Sequence, residues 1–275
     1  MRMRALAYNL YFGGADRIES ICAVLKHVEA DAIALTEADD RSVVETLAER
    51  LGLHHVWAQG SGDRHIATLS RFPICEWHIY NTPPLTQAVL ETKLQLPPRP
   101  DRSCVAEFAT GDLSGLSRSV DEITLYNVHF LPYLLLPFEI RRWQAAGKLL
   151  DVIRARRPGP HLILGDLNAI APGDRVLQRN NPPRMRRVML LQLRLIFRLA
   201  IPRLLRAGYV DCYRRLHPND DGFTWMPGNR TTRYDYILAD PALAPRLRTC
   251  RVVDDVEAVN IASDHFPLLA EFELE

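Results

Sequence analysis

Five apolar runs in this chain end at or near a polar, chemically capable side chain, and that repeated pattern narrows the possible folds more than any other feature. The runs are LAYNLYF at 6–12, ALTEADD at 34–40, LYNVHF at 125–130, GDLNA at 165–169 and RYDYIL at 233–238. Ser263-Asp264-His265 stands directly before the last strand-like run, FPLLAEFELE. A buried acid, amide or imidazole is costly unless it is paired or used. Core packing does not explain so many of them at strand ends. The pattern calls for a domain of many strands, with functional residues gathered at strand ends and loops.

Helical periodicity runs over 16–29, with Ile18, Ile21, Cys22 and Leu25 on one face and Asp16 as the expected cap. A second helix is expected over 42–52, stopped at Gly52, and a third over 138–156. Strands are expected at 3–12, 31–37, 66–74, 75–80, 86–96, 103–109, 123–130, 161–167, 223–225, 233–238, 249–255 and at the C-terminus. A polar hairpin loop is expected at 111–121. No internal repeat or linker divides the 275 residues, so one domain, 1–275, is expected, with an Arg-rich amphipathic insertion at about 181–207.

Composition excludes little. Formal net charge is +1, so no global field favours a polyanionic partner and any basic surface must be local. The five cysteines are scattered without metal-site spacing, which predicts reduced thiols and a cytoplasmic protein. The N-terminus reads as a first strand, not a signal peptide. No apolar run is long enough to span a bilayer.

Glu37 closes a buried run, where a carboxylate either pairs with a basic neighbour or binds a cation. Asp166 and Asn168 are two apart, and in extended chain they would face one pocket. Asn9 and Asp235 add an amide and an acid. Oxygen donors of this kind suit Mg²⁺ or Mn²⁺ over zinc. His129 and His265 are the histidines placed at acidic strand ends. Of the other seven, mostly surface or core by position, His65 is the one kept as a candidate for function.

The chain resembles the endonuclease/exonuclease/phosphatase superfamily from Asn9 to the C-terminus. The resemblance is carried by the Asn9 and Glu37 strands, LSRFPI at 69–74, Asn127-Val128-His129, GDLNA, Thr224-Trp225, RYDYIL and Ser263-Asp264-His265. It implies an α/β fold, a four-layer α/β/β/α sandwich with two mainly antiparallel sheets packed face to face and flanking helices. It also implies a Mg²⁺-dependent phosphoesterase, with the metal held by Glu37, Asn9 and Asp264. His265, Asp166, His129, Asn168 and Asp235 are the implied catalytic residues, with Asp235 orienting His265. The general base is either Asp166 or His265. Asn168, His129, Arg233 and Trp225 are the expected substrate contacts, whereas Asn127 is expected to be a strand residue. Thr36 replaces a glutamine common in the family, and His129 sets the chain apart from the abasic-site branch, which usually has tyrosine there.

Two segments bear on the substrate. LPYLLLPFE at 131–139 is either a loop folded onto the core or an apolar lip beside the site. RMRRVMLLQLRLIFRLAIPRLLRAG at 184–208 places Arg187, Arg194 and Arg198 in one helical stripe, with Leu193, Ile196 and Ala200 opposite and a break expected at Pro202. It is a helix packed on the domain, a phosphate-binding rim, or an interfacial helix making peripheral membrane contact through 184–206. The apolar content of this segment favours membrane, core or self-association over a nucleic-acid groove, while the family resemblance keeps nucleic acid level with phospholipid and makes it the first substrate expected. A small-molecule phosphatase and a non-catalytic binding module of the same fold are the other readings. No obligate protein partner is evident.

Overall fold

A computed structural model describes residues 1–85, 87–97, 121–191 and 195–274. The strand expected at 103–109, most of the 111–121 loop, Leu193 and Arg194 lie outside the described residues.

Alternating burial builds the layers. In β1 (Arg2–Asn9), Met3, Ala5 and Ala7 face a core shared with Leu125, Leu162, Leu164, Ile237 and Ala270. Leu6 and Tyr8, one residue out of phase, pack with Ile21, Val24 and Leu47 on the opposite face. The first sheet adds β2 (Ala32–Thr36), β3 (His54–Ala58), β4 (Ile66–Ser70), β11 (Leu247–Val252) and β12 (Leu268–Glu273), in the order β11-β12-β1-β2-β4-β3. The second contains β5 (Ile74–Tyr80), β6 (Ala88–Gln95), β7 (Glu122–His129), β8 (His161–Asp166), β9 (Val210–Asp211) and β10 (Asp235–Ala239), ordered β5-β6-β7-β8-β10-β9. Each sheet has one parallel pair, β1–β2 and β7–β8, among antiparallel neighbours. The two sheets thus share one plan, although the sequence has no visible repeat.

Helices α1 (Ile18–Val28) and α2 (Arg41–Leu51) bury their apolar faces on the first sheet. Helix α3 (Leu136–Arg156) and a short helix at Ala200–Arg206 cover the second. The result is the expected four-layer α/β/β/α sandwich. Asn127, midway between the sheets, donates its amide N–H to Leu35 O at 3.0 Å and Ala67 O at 2.8 Å, fastening one sheet to the other.

Several local expectations change. Asp16 caps nothing: it is exposed beside Arg17, and Gly14 precedes the 3₁₀ turn that leads into α1. The first strand ends at Asn9, where a tight turn begins. Strand β3 was not foreseen, because its paired histidines His54 and His55 lie exposed on an edge and mask the alternation. Residues 184–208 do not form one helix. They give α4 (Pro183–Leu191), non-helical residues at 195–199, and α5 (Ala200–Arg206). Pro202 sits in the first turn of α5, where its missing N–H breaks no ladder. Arg198 is no part of a helical stripe. Its guanidinium donates to Ala171 O, Ile196 O and Asp174 O. The 131–139 loop folds back: Leu134 packs with Ile170 and Tyr234, and buried Arg142 donates to the carbonyls of Leu131, Pro132 and Tyr133. Glu139 pairs with Arg142 and accepts the Leu199 and Ala200 N–H groups at the start of α5.

Candidate active site

The apolar face between the sheets turns polar at one end, and strand periodicity places each group there. Asn9 follows Ala7 on β1, His129 follows Leu125 and Asn127 on β7, Asp166 follows Leu164 on β8, and Asp235 precedes Ile237 on β10. Strand register sets His129 opposite Asp166, and Asp166 opposite Asp235. Gly165 makes the β7–β8 approach possible. With φ at 129°, a β-carbon there would stand 2.2 Å from Val128 O.

Asp166 is the centre of the cluster and is 1% exposed. Asn9 Nδ2 donates to its Oδ2 at 3.0 Å, and Asn168 N donates to its Oδ1 at 2.9 Å. His129 Nε2 and His265 Nε2 lie 3.8 and 3.9 Å from Asp166 Oδ2. Burial raises the Asp166 carboxyl above its usual range, against the opposing pull of His265. The extended geometry expected through 168 stops at Asp166. Asn168 has φ of 47° and turns its amide N–H to Phe130 O at 3.0 Å.

His265 Nδ1 lies 2.7 Å from Asp235 Oδ2. A carboxylate only accepts, so Nδ1–H donates and Nε2 faces the site. Burial opposes charging this imidazole, but Asp235, by charge and hydrogen bond, then Asp166 and Asp264 hold its pKa up to about 10. His129 behaves oppositely. Burial pushes it down to about 4, so it is neutral near pH 7, and its Nδ1 has no hydrogen-bond partner.

Glu37 follows β2 in left-handed backbone, φ 48°. Its Oε2 accepts the Phe12 N–H at 3.0 Å and lies 3.8 Å from Arg64 Nε. Burial works against its charge, but His129, the Phe12 N–H, Arg64 and His265 hold its carboxyl below the usual range. Asp264 Oδ2 accepts the Trp225 indole N–H at 3.1 Å, and its Oδ1 accepts no hydrogen bond. Burial raises the Asp264 carboxyl, and Glu37 and Asp235 add like-charge repulsion against His265 and Trp225.

Among the described residues no group of three or more His, Cys, Asp or Glu is arranged to enclose a metal ion. The donors still fit a hard cation: Asp264 Oδ1 accepts no hydrogen bond and lies 3.9 Å from His265 Nε2, and Glu37 Oε1 accepts only Asn9 Nδ2, at 3.4 Å. Mg²⁺ often uses one or two carboxylates, with water and phosphate oxygens completing its shell. Asn9 is different from the expected ligand. Its Nδ2 donates to Glu37 and to Asp166, and its Oδ1 accepts the Tyr11 N–H at 2.8 Å.

Arg233 is a correction. It is 0% exposed, bidentate to Asp211 at 2.8 and 2.6 Å, and bonded to Asp174 at 2.9 Å, so its guanidinium is spent inside the protein and does not reach substrate. Trp225 is half-buried and orients Asp264. His65 accepts the Gly60 N–H and holds a loop. Sequence reasoning gave no role to Ser263, whose Oγ donates to Asn9 O at 2.7 Å and accepts the His265 N–H at 3.1 Å. Its place inside the Ser-Asp-His triplet was the available signal. Arg64 carried none.

The chain is similar to several known proteins. Exodeoxyribonuclease III of Haemophilus influenzae is 32% identical over 126 residues, covering 42% of this chain and 47% of that protein, so the match spans about half of the relative's length. An AP endonuclease from Archaeoglobus fulgidus shares the fold with a TM-score of 0.70 at 19% identity, covering 98% of this chain and 99% of that one. So does the 3′ phosphatase NExo from Neisseria, solved bound to a product DNA hairpin, with a TM-score of 0.68 at 20% identity and the same coverage. A family model described as "Endonuclease/Exonuclease/phosphatase family" matches residues 6–265, and the chain, with its Asp235–His265 pair set against Asp166, belongs to that family of phosphoester hydrolases.

Proposed function

We propose that this chain hydrolyses phosphodiesters of nucleic acid with the help of a divalent cation, Mg²⁺ or Mn²⁺. The observation that carries the reading is His265, fixed through Nδ1 by Asp235 and presenting Nε2 beside Asp166. Glu37 and Asp264 would hold the cation, with Asn9 positioning Glu37 and Asp166. When bound, the cation neutralises charge on the phosphate and eases attack on phosphorus. Asp166, held by the Asn9 and Asn168 N–H groups, would orient the attacking water and accept its proton. His265, held protonated, donates Nε2–H to a phosphoryl oxygen as charge builds there. Water attacks in line, one P–O bond forms, and the ester P–O bond opposite it breaks, its oxygen leaving as the alcohol with a proton from solvent. His129 and Asn168 flank Asp166 and would contact the phosphate. The likeness to an exodeoxyribonuclease supports nucleic acid as the substrate.

A phospholipid substrate is the second reading, favoured by Leu190, Leu195 and Leu199, which are 52, 55 and 38% exposed in the 184–206 segment. No helix among the described residues is long and apolar enough to cross a membrane, so that contact would be peripheral.

The test is hydrolysis of an oligonucleotide, p-nitrophenyl phosphate and sphingomyelin, side by side, with and without Mg²⁺ or Mn²⁺. Metal-dependent cleavage of the oligonucleotide is the expected result. Cleavage of sphingomyelin alone replaces it with the lipid reading, and no turnover by folded protein rejects both.

A further inference from the structure

The turn after β1 holds two large aromatic residues in an unfavourable place. Tyr11 and Phe12 are 40 and 59% exposed, and both have left-handed backbone, φ 52° and 54°. Gly13 and Gly14 continue the same conformation at 79° and 73°. Glycine tolerates that region; bulky residues seldom do. A β-carbon on Gly13 would also come within 2.9 Å of Asp40 N. Solvent exposure of two rings and a strained backbone at the same residues is a combination that persists where surrounding contacts enforce it, most often at functional sites.

Here the enforcing contacts come from the active site itself. The Tyr11 N–H donates to Asn9 Oδ1, the Phe12 N–H to Glu37 Oε2, and the Gly13 N–H to Glu37 O at 2.9 Å. Arg17 fastens the turn from below, donating to the carbonyls of Leu10, Tyr11 and Ala262. The rings meet edge to face at 4.7 Å. The Arg64 guanidinium lies 4.2 Å from the centre of Phe12 while also pairing with Asp39 and approaching Glu37. The platform is thus rigid, aromatic, flanked by cationic side chains and wired to Asn9 and Glu37. Strand β7, which holds the place of β1 in the other sheet, is followed by another exposed aromatic in left-handed backbone, Tyr133 at φ 78°.

We propose that Tyr11 and Phe12 form a stacking platform for an unpaired base next to the scissile phosphate, which makes single-stranded nucleic acid, without base selectivity, the preferred substrate. The inference rests on the nucleic-acid reading above. A base can lie on a protein ring only when its own stack is open, and such stacking tolerates any base because each has a π-face. Arg64, partly exposed beside the Phe12 ring, adds a cation next to that base.

The experiment measures KM and kcat on a single-stranded oligonucleotide, the same sequence as duplex, and a single-stranded oligomer whose bases are replaced by tetrahydrofuran abasic residues. Wild type is compared with Phe12→Leu, which keeps the apolar bulk and the backbone N–H, and with Phe12→Trp. Wild type should favour the base-bearing single strand over both others. Phe12→Leu should raise KM for that strand roughly tenfold to a hundredfold, bring it toward the value for the abasic oligomer, and leave the melting temperature in place. Phe12→Trp should restore the preference. Equal effects of Phe12→Leu on base-bearing and abasic strands would overturn the platform while leaving the nuclease reading standing. Failure of wild type to cleave any of the three would remove the nuclease reading and the platform together. Loss of vesicle binding in Phe12→Leu, with oligonucleotide kinetics unmoved, would reassign the rings to a lipid surface.

Discussion

Asn9 on the first strand of one sheet donates its amide N–H to Asp166 on the other sheet, 3.0 Å away and 157 residues later in the chain. The hydrogen bond crosses the sandwich where its apolar interior ends. It aims the carboxylate at the centre of the site while neighbouring groups set its charge. Asn9→Ala should lower kcat by roughly 10- to 100-fold, the worth of a hydrogen bond to a charged group, with a smaller change in KM. Steady-state kinetics on one oligonucleotide at saturating metal would measure it, and a change confined to KM would remove Asn9 from the positioning of Asp166.

The Asp235–His265 pair should appear in a titration. In metal-free protein the His265 imidazole, followed by NMR, should titrate well above an ordinary histidine, near 10. Asp235→Asn should lower that value, because the charge and hydrogen bond of Asp235 do most to oppose the penalty of burial. The folded pKa is raised, so the contribution to stability is full below about 6.5 and is lost as pH rises toward about 10. Wild type should therefore lose stability across that window, and Asp235→Asn should show a shallower decline. Parallel declines in urea melts would reject the pairing as the cause.

Glu37→Gln keeps the shape of the side chain and removes the charge. Turnover should fall by orders of magnitude, and the stabilisation by added Mg²⁺ that ligand binding to the folded state predicts should disappear. Differential scanning calorimetry with and without Mg²⁺ reads the second effect independently of activity. A Mg²⁺-dependent rise in melting temperature equal to wild type would move the cation away from Glu37.

Arg233→Met should act on stability. It leaves Asp211 and Asp174 without their buried partner, and breaking such a pair costs about 3–5 kcal/mol. Chemical denaturation would show it as a lower midpoint. A variant of normal stability with raised KM would restore Arg233 to the substrate-binding residues.

Gly165→Ala tests the close approach of β7 and β8. Left-handed strain alone should cost about 1–3 kcal/mol, and the clash with Val128 O adds to it. Because Asp166 is the next residue, kcat should fall with stability.

Much of the site was legible in sequence for a local reason. Strand periodicity assigns a face to each residue, so Asn9, His129, Asp166 and Asp235 follow their apolar neighbours onto the inter-sheet side without any knowledge of the partner strand. Helices α1, α2 and α3 came from the same kind of short-range pattern. What the sequence alone does not determine depends on partners distant in the chain. Arg233 looks like a phosphate ligand until Asp174 and Asp211, 59 and 22 residues away, enclose it. The arginine stripe of 184–208 requires one continuous helix, and Arg198 instead satisfies carbonyls of the 171–174 loop. Asn9 meets the Tyr11 N–H through its oxygen and Glu37 and Asp166 through its Nδ2, contacts that only the fold sets. Periodicity sets which side of a strand a group faces; only folding decides which opposing charge or dipole it meets there, and that meeting fixes its chemistry.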